Sequence, residues 1–117
     1  EFNAIYHVME EREYHPEQIL VSQGDKNDEL FFINQGSIRA SYMGGEKEFF
    51  LKNLNSGEIA GECFFNASVW TMTLTAVKPT RIMVLTREQL LLQEEKFPGL
   101  ESKLRDIYNR TSDIHLL

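Results

Sequence analysis

The stretch Ser37-Ile38-Arg39-Ala40-Ser41-Tyr42-Met43 decides the fold class of this chain. Its apolar and aromatic side chains alternate with polar ones, and a period of two is typical of a strand with one buried face. Gly44-Gly45 follows and supplies residues suited to a tight turn. The pattern therefore predicts a β-strand that leads into a hairpin.

A strand-like sequence pattern continues on both sides of this strand, from Glu17 to Thr86. Short β-prone runs alternate with turns that contain Gly, Asn or Pro. The runs are Ile19–Val21, Leu30–Ile33, Ser37–Met43, Phe49–Leu51, Thr71–Val77 and Thr80–Thr86. A series of six or so short strands at this spacing predicts an antiparallel sandwich, roll or barrel.

Both ends of the chain carry helical patterns. Near the start, apolar residues recur at helical spacing, which predicts a helix over about residues 2–13 that Pro16 stops. Near the end, helices are predicted over about 87–96 and 100–110, separated by Phe97-Pro98-Gly99. The predicted fold class is mainly β: a β core over about 17–86 with an N-terminal helix and two C-terminal helices, all in one domain, residues 1–117.

Composition excludes several classes of function. The chain has 117 residues, with 12 Lys+Arg against 18 Asp+Glu and a net charge of −6, so a surface that tracks nucleic-acid phosphates is not expected. Cys63 is the only cysteine, which excludes an intramolecular disulfide and a Cys-based zinc site. The apolar runs are too short for membrane insertion. No catalytic motif is present, so we expect no enzyme. Because the sequence lacks an initiator Met, we expect a domain excised from a larger protein.

The stretch Gly57-Glu58-Ile59-Ala60-Gly61-Glu62-Cys63-Phe64-Phe65-Asn66 combines features that suit anion binding. A glycine turn leads into one turn of possible helix, whose backbone N–H groups would form an anion cradle. Gly61 would let the backbone approach a ligand closely, and Glu62 would accept bonds from ligand hydroxyls. By its chemistry alone, an ordinary surface turn with an exposed acid explains the same stretch.

Five segments, taken in order, resemble one known family. They are Tyr14-His15-Pro16-Glu17-Gln18-Ile19-Leu20, Gln23-Gly24-Asp25, Asp28-Glu29-Leu30-Phe31-Phe32-Ile33 with Gly36, Gly57 to Glu62, and Phe97-Pro98. Together they resemble the cyclic nucleotide-binding domain, the β-roll module of kinase regulatory subunits, gated channels and bacterial catabolite-activator-type regulators. Glu17 departs from this pattern, because glycine is usual at its position.

The resemblance implies an antiparallel jelly-roll β-roll that acts as a regulatory or sensory domain. Such a domain transmits the state of a ligand or partner to an attached output domain through its C-terminal helices. The implied ligand is cyclic AMP, cyclic GMP or another small effector, and a homodimer is a further implied partner. The implied location is the cytoplasm or the cytoplasmic side of a membrane protein. The residues that match the family's phosphate-binding cassette are Gly61, Glu62, Cys63, Phe64, Trp70, Thr71 and Thr73.

The cassette departs from the family pattern at its charged donor. Trp70 stands where ligand-binding members have an arginine, and no Lys or Arg occurs from Asn53 to Val77. A charge-assisted hydrogen bond contributes ~1.5–3 kcal/mol. Its loss therefore weakens binding by roughly 10- to 100-fold. The hydroxyls of Thr71 and Thr73 would compensate only in part.

Several interpretations stay open at this stage. The roll either binds no cyclic nucleotide or binds one weakly, through a donor outside the cassette such as Arg39 or Lys52. Trp70 either fills the pocket or stacks on a flat ligand. Cys63 is expected to be a buried structural thiol. The alternative function is a non-ligand-binding scaffold or a protein-interaction or oligomerisation domain.

Overall fold

Eight strands and three helices make up the part of the chain that the structure describes. The computed structural model describes the backbone of residues 2–61 and 69–111 and the side chains of residues 5–61 and 69–107. In chain order the elements are α1 (Phe2–Val8), β1 (Glu10–Tyr14), β2 (Ile19–Val21), β3 (Glu29–Gln35), β4 (Ser37–Gly44), β5 (Lys47–Asn55), β6 (Ile59–Ala60), β7 (Thr73–Ala76), β8 (Thr80–Thr86), α2 (Arg87–Lys96) and α3 (Leu100–Thr111). Within these ranges, none of the helices has the length and apolar character needed to span a bilayer.

The strands form two four-stranded antiparallel sheets, in the orders β1-β8-β3-β6 and β2-β7-β4-β5. Their facing sides enclose one apolar cluster, which we call the inner core because both sheets contribute to it. Its fully or nearly fully buried members are Val21, Phe31, Ile33, Ile38, Ala40, Leu54, Ala60, Trp70, Met72, Leu74, Ile82 and Val84. The antiparallel roll with flanking helices confirms the predicted fold class.

The helices cover the other side of the first sheet. Alternate residues of β3 and β8 point away from the inner core and meet the helices in a second cluster, which we call the helix core. Its buried members are Ile5, Leu30, Ile59, Leu85, Leu90, Leu100 and Leu104. Helix α2 begins as predicted, because the Thr86 hydroxyl accepts the Gln89 N–H at 3.1 Å and caps the first turn. The roll and the C-terminal helices are thus packed as one unit.

The N-terminal helix is shorter than the predicted range of 2–13. It ends at Val8, and Glu10–Tyr14 instead forms the edge strand β1, paired with β8. The Arg12 guanidinium binds the Glu29 carboxylate through two nitrogens, at 2.7 and 3.1 Å, and this pairing raises the pKa of Arg12. The charged residues of this segment show no alternation of polar and apolar side chains, so the sequence did not indicate a strand. Pairing with a strand about seventy residues away decides the conformation of the segment.

Candidate functional site

The residues predicted to bind a ligand fall partly within a segment outside the described residues, 62–68, and partly on either side of it. Glu62, Cys63 and Phe64 belong to that segment. Gly61 directly follows β6, and the remaining three residues lead into and begin β7. The described part of the candidate site is therefore Gly61, Trp70, Thr71 and Thr73.

Trp70 lies in the inner core of the roll. Its backbone N–H donates to the Asp25 carbonyl, and its own carbonyl accepts the Gly24 N–H, both at 2.8 Å. The side chain is 2% exposed and stacks on Phe31, with ring centroids 5.4 Å apart and planes inclined by 17°. The ring of Phe31 thus covers one face of the indole. The distance between the ring centroids lies in the range at which stacked aromatic pairs stabilise a protein.

Gly61 is required by the fold itself. Its φ of +140° is strained for residues with a side chain, and an added Cβ would lie 2.5 Å from Leu30 Cδ1 in the helix core. The sequence suggested that this glycine lets the backbone approach a ligand. Among the described residues, the group that approaches it is Leu30, so the glycine alone is no evidence of a ligand.

Thr73 is engaged in a hydrogen bond within the protein. Its Oγ1 accepts the Gln23 N–H at 3.0 Å, and the Gln23 side-chain oxygen accepts the Met43 N–H at 2.7 Å. These bonds tie β7 to the turn after β2 and to β4. Thr71 is exposed, one residue beyond Trp70. The Thr73 hydroxyl would have to share or break its bond with Gln23 to serve a ligand.

The two bases considered as donors outside the cassette are each paired with a carboxylate. Arg39 Nη2 lies 3.3 Å from Glu17 Oε1, and Lys52 Nζ lies 3.8 Å from Glu58 Oε2. Glu17 itself has a φ of +69°, the left-handed conformation that glycine adopts most readily. The departure from glycine at this position therefore places a strained residue beside Arg39.

Two residues near Trp70 were missed by the sequence analysis. Lys26 pairs through its backbone with Val69, so a base lies across from the residue before Trp70. The Lys26 side chain is 80% exposed, and its Nζ lies 3.3 Å from Asp28 Oδ2. Asn27 is 1% exposed, and neither polar atom of its amide has a hydrogen-bond partner among the described residues. Only the pairing of two loops more than forty residues apart brings them here, and no local pattern signals such a contact.

Comparison with known proteins identifies one matching family and many solved structures with a similar fold. The family described as "Cyclic nucleotide-binding domain" matches residues 11–93. No curated protein sequence matches the chain.

Three solved structures illustrate the shared fold. The Thermus thermophilus Catabolite Activator Protein is 23% identical with a TM-score of 0.82, over 93% of this chain and 52% of its own. The N-terminal domain of a transcriptional regulator from Streptomyces coelicolor A3(2) is 21% identical with a TM-score of 0.82, over 93% and 78%. The regulatory domain of Toxoplasma gondii PKA, solved with cAMP, is 21% identical with a TM-score of 0.73, over 77% and 35%. This chain thus spans about half the length of the Thermus protein.

Proposed function

The chain belongs to the cyclic nucleotide-binding domain family, and from that premise we propose that it is a regulatory domain whose nucleotide site is closed by Trp70. In this role it passes the state of a partner to an attached output domain. The observation that carries the proposal is the buried stack of Trp70 on Phe31, at the position where the family's pattern has the arginine that meets the cyclic phosphate.

The energetic balance supports a closed site. Removing a large aromatic side chain from a core costs about 3–5 kcal/mol, part of which a ligand would have to replace if it displaced the indole. The strongest single bond to the phosphate would return ~1.5–3 kcal/mol, and the donor for it is missing between Asn53 and Val77. Arg39 and Lys52 would first have to leave Glu17 and Glu58. The bond that contributes most to holding the cyclic phosphate is therefore missing, while the indole still has to be displaced.

Strand β6 supports the proposed link between the roll and the C-terminal helices. Its two residues point to opposite sides: Ala60 belongs to the inner core, as does Trp70, and Ile59 belongs to the helix core, as do Leu100 and Leu104. Gly61 and the cassette follow directly. A change in the position of this short strand would therefore act on both cores, as coupling through a packed element requires. A partner shifts such an equilibrium only if it binds the two states with different affinity.

The output domain is proposed from the family's architecture. The similar structures named above extend beyond the part that this chain covers, by 22–65% of their length. Helix α3 follows α2 after the roll and would carry the signal onward. The fold does not specify the activity of the output domain.

Titration calorimetry on two arginine variants tests whether Trp70 closes the site. Trp70→Arg restores the family's donor and removes the indole. Val69→Arg is the matched control, because Val69 is 43% exposed and adjacent, so it adds the same charge without opening the core. Thermal melts would first establish that both variants fold.

We expect heat of binding with cyclic AMP or cyclic GMP for folded Trp70→Arg and none for Val69→Arg. A Trp70→Arg protein that folds and binds neither nucleotide would show that something other than Trp70 closes the site. Equal binding by Val69→Arg would show that added charge alone is sufficient.

A further inference from the structure

A cleft outside the roll separates helix α2 from the loop that precedes β3. It is an open depression with a volume of about 790 Å³, within the size range of small-molecule sites. We call it the α2 cleft. Its relevant lining residues are Lys26 and Asp28 on the loop and Glu88, Leu91, Leu92 and Glu95 on the helix.

The helix side of the α2 cleft is apolar at its centre. Leu90 is buried against the helix core, whereas Leu91 is 58% and Leu92 48% exposed. Glu88, Leu91, Leu92 and Glu95 recur at i, i+3, i+4 and i+7, so they share one face of the helix. A surface helix that packs only on its own domain would carry polar residues there. Instead, two leucines lie in the cleft with an acid at each end.

The charges around these leucines are predominantly negative. Lys26 Nζ lies 3.3 Å from Asp28, and Arg87 donates to the Asn27 carbonyl at 3.2 Å, so both bases of the lining have partners within the chain. Glu88 and Glu95 are exposed, and among the described residues neither forms an ion pair or side-chain hydrogen bond. The whole chain carries a net charge of −6, which disfavours a second copy or a nucleic acid as the occupant.

We propose that the α2 cleft binds a basic amphipathic helix of a partner protein. Apolar side chains of that helix would cover Leu91 and Leu92, as in other helix-in-groove complexes. Lys or Arg residues on it would pair with Glu88 and Glu95, which lie about 10 Å apart along the axis of α2. The kind of partner rests on the regulatory role proposed above. Binding at the α2 cleft, however, can be measured independently of the nucleotide site.

A synthetic peptide tests the proposal on the full chain. The probe is a fluorescein-labelled amphipathic helix of about 18 residues made of Leu and Lys, long enough for a stable helix to form on binding. A peptide of the same pattern with Glu in place of Lys is its control. Fluorescence anisotropy at about 0.15 M salt measures binding under screening close to physiological. The variants are Leu91→Ser/Leu92→Ser and Glu95→Lys, with Glu46→Lys as a control of equal charge change in the β4–β5 turn.

We expect saturable, micromolar binding of the Leu/Lys peptide and none of the Leu/Glu peptide. The leucine variant and Glu95→Lys should each weaken binding by about tenfold or more, and Glu46→Lys should change it by less than about twofold. Absence of saturable binding by the unmodified protein would overturn the proposal. So would equal weakening by Glu95→Lys and Glu46→Lys, or equal binding of the Leu/Glu peptide.

Sedimentation of the unmodified protein without peptide tests whether a second copy of the chain fills the α2 cleft instead. Self-association at micromolar concentration that Leu91→Ser/Leu92→Ser abolishes would mean that a second copy fills the cleft, and the proposal would be wrong. A monomer that binds the Leu/Lys peptide supports it. Neither result depends on whether cyclic AMP or cyclic GMP binds, so failure here is distinguishable from failure of the closed nucleotide site.

Discussion

The indole of Trp70 stacks on the ring of Phe31, with centroids 5.4 Å apart and planes inclined by 17°. Phe31 belongs to β3 of the first sheet, whereas Trp70 leads into β7 of the second. Both side chains are buried, at 0% and 2% exposure. The stack therefore joins the two sheets at the position where the family's pattern has a charged donor, and we propose that the same contact closes the nucleotide site.

Trp70→Ala should destabilise the fold strongly, because it leaves a cavity in the inner core. We expect a loss of about 3–5 kcal/mol in the free energy of unfolding. Trp70→Phe retains an aromatic ring and should cost less than half as much. Chemical denaturation followed by circular dichroism measures both, since Trp70 is the only tryptophan and its fluorescence is lost. A loss below about 1 kcal/mol for Trp70→Ala would show that the indole is not packed in the core.

Glu17→Gly should stabilise the protein. Glu17 has a φ of +69°, which glycine adopts without the steric cost that a Cβ brings. We expect a gain of about 1 kcal/mol, after the loss of an exposed ion pair to Arg39 that contributes little. Glu17→Gln is the control, because it removes the charge and keeps the Cβ. Thermal unfolding compares the variants, and a lower melting temperature for Glu17→Gly than for Glu17→Gln would contradict the strain argument.

Gly61→Ala should destabilise the protein more than Gly57→Ala. Both glycines have positive φ, at +140° and +90°, so each variant places a side chain in an unfavourable backbone conformation. Only at Gly61 would the new Cβ also meet Leu30, whereas at Gly57 no atom lies within 4 Å. The extra loss at Gly61 should be roughly 1–3 kcal/mol in urea denaturation, the usual cost of overpacking. Equal losses would show that Leu30 gives way freely.

Glu94 should make stability depend on pH in the acidic range. Its carboxylate accepts the Glu101 and Gly99 N–H groups, at 2.9 and 2.7 Å, and these bonds lower the pKa of Glu94 below its ordinary value of 4.5. A lowered pKa in the folded state stabilises the protein above the ordinary pKa, and this contribution is lost as the pH falls through the folded value.

Glu94→Gln should therefore melt at a lower temperature than the unmodified protein at pH 7, and the difference should shrink as the pH falls below about 4.5. Glu46→Gln is the control, since Glu46 is exposed in a turn and should give a parallel curve. A difference for Glu94→Gln that stays constant down to pH 3 would exclude the proposed hydrogen bonds to the start of α3.

The sequence predicted the elements whose signals are local. Alternation along Ser37–Met43 predicted β4, and Thr86 with the Phe97-Pro98-Gly99 break predicted the bounds of α2. It missed β1, because a run of charged residues becomes a strand only through pairing with β8. It also missed β6, since two residues are too few to show a period.

The candidate site was only partly predictable for the same reason. The missing base could be read directly from the composition of residues 53–77. The direction of the Trp70 side chain could not, because it depends on the pairing of Gly24 and Asp25 with Trp70 across more than forty residues. Nor could the role of Gly61, which depends on its contact with Leu30.

Calorimetric titration of the unmodified 117-residue chain with cyclic AMP, and separately with cyclic GMP, tests the closed site most directly. With nucleotide raised to about 1 mM, a concentration that detects binding energies near 4 kcal/mol, we predict no saturable heat for either ligand. Stoichiometric binding with a micromolar dissociation constant for either nucleotide would contradict the account, because the buried Trp70 would then fail to exclude the ligand.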